Sequence, residues 1–348
     1  TTQRFSPMLS VAVVILNWNG ESFLRKFLPN VVAHSALPDV QVIVADNGST
    51  DGSLELLKTR FPEVGIIPLK KNYGFTGGDN RALSQVKAKY YVLLNSDVDV
   101  PEGWLSPLIQ FMESNPNAAA CMPKMLDYNN PENFEYAGAA GGFIDWLGYP
   151  FCRGRILSSI EKDMGQYNTP IQVMWASGAC LFIRSTDYHK AGGLDDDFFA
   201  HMEEIDLCWR LKNMGRQIWC IPQSEVFHVG GGTLPNNNPR KLYLNYRNNL
   251  FMLFKNLPLL KVYTIIPLRM VLDLASAVVY LLTKRKDFAK AVINAHADYI
   301  KAIPNLKAKK ALTPPQTKRH SQVLIPSILL NFFLLRKKTF SKLSLNKH

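Results

Sequence analysis

The sequence sets carboxylates at two points where they could do chemistry. In Asn95-Ser-Asp-Val-Asp, Asp97 and Asp99 follow directly on the apolar run 91–94. Hard divalent cations want oxygen ligands, and Mg²⁺ commonly takes one or two carboxylates plus substrate phosphates. A cation held there would act as a Lewis acid toward a departing diphosphate. An ordinary acidic loop is the competing reading. His228 follows the apolar run 218–227 and precedes a glycine triplet. Its imidazole would suit Mn²⁺ as a third ligand, although a lone histidine is more often structural.

The second point is His201-Met-Glu-Glu-Ile-Asp. It lacks a second histidine at helical spacing, which excludes a zinc-protease motif. A helix is predicted over residues 198–215, with Phe198, Met202, Ile205 and Trp209 as its apolar stripe and Gly215 as its C-terminal cap. On that helix Glu204 sits on one shoulder of the stripe, Asp206 on the other, and Glu203 on the far side. Partial desolvation of a shoulder carboxylate raises its pKa toward that of a useful general base. Three acids on a solvent face would be the plain alternative.

Two further segments are less specific. Asp46-Asn-Gly-Ser-Thr-Asp reads as a turn before a capped helix, or as a strand-end carboxylate that hydrogen-bonds a base or ribose. Residues 70–80, Lys-Lys-Asn-Tyr-Gly-Phe-Thr-Gly-Gly-Asp-Asn, match neither a P-loop nor G-x-G-x-x-G. Asn72 and nearby backbone N–H groups could approach a donor, and a helix-entry turn explains the glycines equally well.

The elements that must hold these residues alternate along the chain. Strands are predicted at residues 10–16, 41–45, 65–68 and 90–94, and helices at 21–32, 53–60 and 80–89. Such alternation specifies an α/β fold with a parallel-rich sheet flanked by helices. Ligands in these sheets bind beyond the carboxyl ends of the strands. A less regular stretch covers residues 115–170, followed by a strand-turn-strand over 171–183.

The chain has 348 residues, 47% of them hydrophobic and 20% charged, which suits one or two globular domains. Five scattered cysteines with no C-x-x-C pair read as buried thiols of a reducing compartment. Residues 1–6 have no signal-peptide pattern, so the catalytic part is expected to be cytoplasmic. Residues 1–239 carry 19 Lys+Arg against 25 Asp+Glu, a net of −6. Residues 240–348 carry 21 against 3, a net of +18. The basic zone calls for an anionic partner, nucleic acid or lipid.

Taken in order, these segments resemble the family-2 glycosyltransferases, and especially the bacterial rhamnosyltransferase-like branch, from about residue 10 to residue 256. The resemblance implies a GT-A catalytic domain over residues 1–239, with a mixed, mostly parallel sheet and a helical extension over 240–348. Leu16 and Trp18 would flank the nucleotide base, Asp46 would hydrogen-bond it, and Asn72 would line the donor pocket. Asn95 stands where the family's Asp-x-Asp begins, so Asn95, Ser96 and Asp97 would bind donor and metal, with Asp99 a helper. Trp175-Ala-Ser-Gly-Ala-Cys-Leu-Phe-Ile-Arg would shape the acceptor floor through Trp175, Ser177 and Gly178, with Asp195 nearby. Glu204 takes the catalytic-base position, supported by Glu203 and Asp206, and His228 the histidine-ligand position. The implied reaction is inverting, Mg²⁺- or Mn²⁺-dependent transfer from a nucleotide-diphosphate sugar to a saccharide or lipid-linked saccharide, rhamnose being the analogous sugar, in cell-surface polysaccharide synthesis.

In the basic zone, residues 262–282 are apolar but contain Arg269, Asp273 and Pro267. A spanning helix needs about 20 mostly uncharged residues, so one or two amphipathic helices on the membrane surface are expected instead. Residues 323–335 are too short to span and end in Arg336-Lys-Lys. Peripheral attachment to the inner face of the cytoplasmic membrane, on anionic lipid, follows. Two rivals are weaker. A nucleotidyltransferase wants a basic phosphate loop after its first strand, where this chain has Asn17-Trp-Asn-Gly-Glu. A non-catalytic nucleic-acid-binding protein wants aromatic platforms among its basic residues, and here aliphatic stretches interleave them.

Overall fold

The computed structural model describes residues 9–230, 237–315, 320, 322–324 and 327–343; residues 1–6 and most of the glycine-rich stretch after His228 lie outside them. The first half runs β1 (Leu9–Asn17), α1 (Glu21–His34), β2 (Val40–Asp46), α2 (Ser53–Arg60), β3 (Gly65–Pro68), α3 (Gly74–Leu83) and β4 (Ala88–Asn95). Then come β5 (Val98–Asp99), α4 (Leu105–Ser114), β6 (Ala118–Asp127), the short strands β7 (Gly142–Asp145), β8 (Pro150–Cys152), β9 (Arg155–Ile156) and β10 (Ser159–Ile160), and β11 (Ile171–Gln172). The rest is β12 (Cys180–Arg184), α5 (Ser185–Lys190), α6 (Glu203–Asn213), β13 (Gln217–His228), α7 (Pro239–Asn256), α8 (Leu259–Leu282), α9 (Lys286–Leu312) and β14 (Val323–Leu324).

The main sheet has the order β11-β13-β6-β12-β4-β1-β2-β3, with β5 attached to β13. The strands β3, β2, β1 and β4 run parallel, so Asn17, Asp46 and Asn95 end side by side at one edge. β12 lies antiparallel between β4 and β6, and β6 pairs in parallel with β13. The second sheet, β10-β9-β8-β7-β14, is built from the irregular middle of the chain. One hydrophobic core runs from Val11–Ile15 of β1 into Leu250–Phe254 of α7 and on to Ile265, Tyr299 and Leu306. The five cysteines are free and buried.

Two helices start elsewhere than predicted. α3 begins at Gly74, not at residue 80, and its glycines permit close packing: a Cβ at Gly78 would come 2.7 Å from Leu16 Cδ1. α6 begins at Glu203, because Phe199, His201 and Met202 hold φ near 64°, 69° and 70°. Left-handed backbone at non-glycine residues cannot belong to a helix. Residues 262–282 belong to one continuous helix, α8, with Pro267 inside it. It is long and apolar enough to cross a membrane by length and composition. The two charges in its middle are not exposed: Arg269 pairs with Asp273 at 2.9 Å, and both are buried.

α7 and α9 are bound to the acidic loop and to α6 by buried ions. Lys255 Nζ lies 2.7 Å from Asp195 Oδ2 and 2.8 Å from Asp206 Oδ2. Asp206 also accepts from Arg210 at 2.8 Å and from Asn256 at 2.8 Å. Lys309 of α9 bridges Asp195 and Asp197. Removing one partner of such a group leaves buried charge uncompensated, at a cost of about 3–5 kcal/mol. Lys255→Met should therefore lose about 3–5 kcal/mol of unfolding free energy in urea titration, whereas an exposed control such as Lys301→Met should lose almost nothing.

Candidate active site

The parallel strand ends carry a network of short polar side chains. Asn17 Nδ2 donates to Asp46 Oδ1 at 3.3 Å, and Asp46 Oδ2 accepts from the Ser49 backbone N–H at 3.0 Å. Gly48 takes φ 75° in this turn and lies against residue 71, where a Cβ would come 2.5 Å from Lys71 Cα. That approach lets Asn47 pin the next loop, donating to Asn72 Oδ1 at 3.2 Å and Gly74 O at 3.0 Å while accepting from Tyr73 N–H at 3.0 Å. Leu16 packs beneath α3, Trp18 is exposed, and Asn72 is half-buried at the rim. Asp46 is spent largely on the turn and is 1% exposed.

Past β4, Asn95 N–H donates to Ala179 O at 3.0 Å, and half-buried Ser96 turns the chain. Asp97 then meets β13. Its Oδ1 lies 3.2 Å from His228 Nε2, and His228 Nδ1 lies 3.2 Å from Glu135 Oε1. Burial pushes the His228 imidazolium down, but Glu135 and Asp97 outweigh it and hold the pKa up at about 10. The 3.2 Å separation of Asp97 and His228 is close to the edge of an octahedron built with bonds of about 2.1 Å. A carboxylate behind the ligating imidazole, as Glu135 is, fixes its orientation. The residues present therefore fit a divalent cation held by Asp97 and His228. Among the described residues no group of three His, Cys, Asp or Glu side chains closes a metal cage. Asp99 does not join the pair; its carboxylate accepts from Asn30 of α1 at 2.9 Å.

The acids of α6 divide into two kinds. Asp206 is fully buried among Lys255, Arg210 and Asn256, and although burial raises its pKa, those cations bring it down. Burial likewise raises Asp195, but Lys255 and Lys309 hold it at about 2. Both carboxylates are thus engaged in buried ion pairs with Lys255, Arg210 and Lys309. Glu203 and Glu204 have no such partners, and the Oε2 of each is buried without a hydrogen bond. Burial pushes Glu204 up to about 7. Glu203 is raised further by burial and by the adjacent charges of Glu204 and Asp79. Asp79, buried on α3, is itself pushed up to about 7 by burial.

Beneath Glu204 lies the turn before β12, where a Cβ at Gly178 would sit 3.6 Å from Glu204 Cβ. Ser177 Oγ accepts from Ala179 N–H at 3.3 Å within that turn. Trp175 is buried under it, donating to Phe143 O at 2.9 Å; it supports the floor and does not face the site.

The loop that presents Glu204 is strained. Asn248 of α7 donates through one buried amide nitrogen to Phe198 O at 2.9 Å, Ala200 O at 2.8 Å and His201 O at 2.8 Å. The Phe199 carbonyl accepts from Phe75 N–H at 2.8 Å at the start of α3, so this loop joins the Gly-rich segment to α6. Sequence reasoning missed Glu135, Asp79 and Asn248. Glu135 falls in the irregular middle, and the other two sit inside helices with no strand-end position to mark them.

The profile of glycosyl transferase family 2 matches residues 12–189. The chain belongs to this family. An N-acetylglucosaminyl-diphospho-decaprenol L-rhamnosyltransferase of Mycobacterium tuberculosis (strain ATCC 25618 / H37Rv) is 28% identical over 234 residues, covering 62% of this chain and 75% of its own length. The rhamnosyltransferase WbbL of Escherichia coli (strain K12) is 26% identical over 226 residues, 63% of this chain and 83% of its own. Among solved structures, S. aureus TarS 1-349 superposes with a TM-score of 0.55 at 15% identity, covering 86% of this chain and 83% of that one. GalNAc-T7 with UDP, GalNAc and Mn²⁺ gives 0.56 at 16% identity, covering 72% and 48%. These two likenesses establish the GT-A fold. The protein is thus a glycosyltransferase, as its sequence pattern implies.

Asn248→Ala takes the amide donor from three carbonyls of the strained loop, of which Phe198 O keeps the Ala200 N–H and Arg247 as donors. It should cost about 1–3 kcal/mol in urea unfolding. It should also lower turnover on the order of 100-fold in protein that is still folded, because Glu204 loses its fixed placement.

Proposed function

We propose that this glycosyltransferase moves a sugar from a nucleotide-diphosphate donor to a hydroxyl of a saccharide, with inversion at the anomeric carbon. The observation that carries the reading is Glu204: a carboxylate over Gly178, its Oε2 sealed from water and unpaired, with a pKa pushed up to about 7. A general base performs best when its pKa lies near the operating pH. In this reading Glu204 takes the proton of the acceptor hydroxyl as that oxygen attacks. Glu203, raised higher, stays protonated beside it and keeps a second negative charge away from the base. The turn at residues 46–49 and the loop at 71–74 bound the nucleotide end of the donor cleft.

Asp97 and His228 would hold Mg²⁺ or Mn²⁺, and Glu135 would orient the imidazole. A cation there supplies charge neutralisation to the diphosphate leaving group. The two rhamnosyltransferase relatives support a role in cell-surface polysaccharide synthesis, with rhamnose as the sugar to test first and a lipid-linked saccharide as acceptor. That acceptor would be met at the inner face of the cytoplasmic membrane, where the +18 zone would lie against anionic lipid. The reading calls for no nucleic-acid partner.

Because the base works deprotonated, kcat/KM should rise with pH through about 7 and level off above it. Glu204→Gln should abolish transfer at every pH while nucleotide binding, measured calorimetrically, stays near wild type; wild-type turnover in that variant would refute the assignment. Asp97→Asn and His228→Ala should each weaken Mn²⁺ binding, and Glu135→Gln should weaken it by roughly 10–100-fold, read by calorimetry with the metal alone.

A further inference from the structure

We propose that α8 is a membrane-docking helix that lies in the plane of an anionic leaflet and seats the rim of the active site at the lipid surface. This rests on the lipid-linked-acceptor reading above and adds the face, the orientation and the lipid chemistry.

The helix is inverted relative to one on the surface of a soluble domain. Between Lys261 and Lys284 its exposed face includes Leu268, Val271, Leu274, Val278 and Leu281, spaced three or four residues apart, with Leu282 beside the last, and no exposed charge interrupts it. Val271 is 62% exposed and Leu282 77%. The charged residues point the other way. Arg269 donates to Asp273 at 2.9 Å, to Asn249 Oδ1 at 2.8 Å and to Leu147 O at 3.2 Å, and its guanidinium lies 3.5 Å from the Tyr149 ring centroid. His296 of α9 lies 3.5 Å from Asp273. A helix that turns its ions inward and its leucines outward is matched to an apolar environment.

Two occupants could cover such a face, lipid or a second copy of the chain. Charge decides between them. The stripe is bounded by exposed Lys261 at one end and by exposed Lys284, Arg285 and Lys286 at the other, a cluster that the one exposed Asp287 beside it leaves net basic. Pairing two copies along the stripe, parallel or antiparallel, sets cation against cation at both ends. Anionic headgroups satisfy both ends while the apolar stripe enters the acyl boundary.

Length alone would let the 24 residues of α8 span a bilayer. Its middle, however, is fastened to the catalytic domain through Asn249, Leu147 and Tyr149. A spanning orientation would pull α7 and that loop into hydrocarbon, and an in-plane one leaves them in water. The turn after α8 is linked by a chain of contacts to the start of α3. Arg285 donates to Asn237 Oδ1 at 2.5 Å, and Asn237 leads into α7, whose Arg240 lies 5.4 Å from the Phe199 ring. That ring abuts Gly74 at the start of α3. An acceptor anchored in the leaflet would therefore present its saccharide at the rim.

The test is flotation of the full chain with vesicles containing phosphatidylglycerol and with vesicles of phosphatidylcholine alone. Wild type should float with the first and far less with the second. V271E/V278E should abolish flotation, and K284E/K286E should lose roughly thirtyfold in affinity for the anionic vesicles. Donor hydrolysis without acceptor and the melting temperature should stay at wild-type values in both variants. Loss of hydrolysis in wild type itself would count against the enzymatic reading and leave flotation to judge the docking face. Wild type that does not float overturns the proposal, as do variants that float like wild type. A soluble wild-type dimer that V271E/V278E converts to monomer would assign the face to a second copy and overturn it equally.

Discussion

One ammonium group ties α6 to α7 and to the acidic loop before it. Lys255 enters a space walled by Asp195 and Asp206, within 2.8 Å of both, and α6 cannot slide along α7 without separating buried charges. Glu204 lies two residues before Asp206 on the same helix. Its position over Gly178 is thereby set by α7 and α9 as much as by the sheet beneath it. Asn248 repeats the constraint one layer out, holding carbonyls of a loop whose backbone is left-handed at three non-glycine residues. Such conformations cost on the order of 1–3 kcal/mol each and persist only when their surroundings over-determine them. The helical extension is therefore part of the active site's construction.

The same low-dielectric interior sorts the acids by partner. Where a cation is within reach, burial still leaves the carboxylate ionised: Asp195 is held at about 2 despite its desolvation. Where none is, the group moves toward neutrality, as Asp79 and Glu204 do at about 7. Environments that push neighbouring carboxyls apart are how one fold assigns structural and chemical roles to identical groups. His228 is the mixed case. Its ring is buried, yet two carboxylates on opposite nitrogens keep it protonated, and a cation at Nε2 would take the proton's place between it and Asp97.

How much of this was legible followed from whether a signal was local. The strands of the parallel half were readable because β-branched runs bounded by turn residues need no partner to be recognised, and β3 and α2 lie where predicted. The start of α3 was hidden because glycines argue against helix by propensity, while here the contact with Leu16 demands them. At Asp206 and Asp195 it was the ion partners that were hidden. Their spacing suits an acidic site, but the residues that neutralise them, Lys255 and Lys309, are distant in sequence. No pattern within α6 could separate them from Glu204. Glu135 was invisible on the same grounds, since only the pairing of β6 with β13 brings His228 to it.

α8 shows the limit of counting charges in a window. Arg269 and Asp273 argued from sequence against a membrane-spanning helix, because a charge count has no direction. Four residues apart, they share one helix face and pair with each other. Together with Asn249 and the Leu147 carbonyl they form a polar seam toward the protein. Removing two charges from the outward face leaves a stripe more apolar than the composition of the helix suggests. The residues that argued against a span are thus the ones that orient α8. They bolt one face to the catalytic domain, so only the uncharged face is left to meet the bilayer.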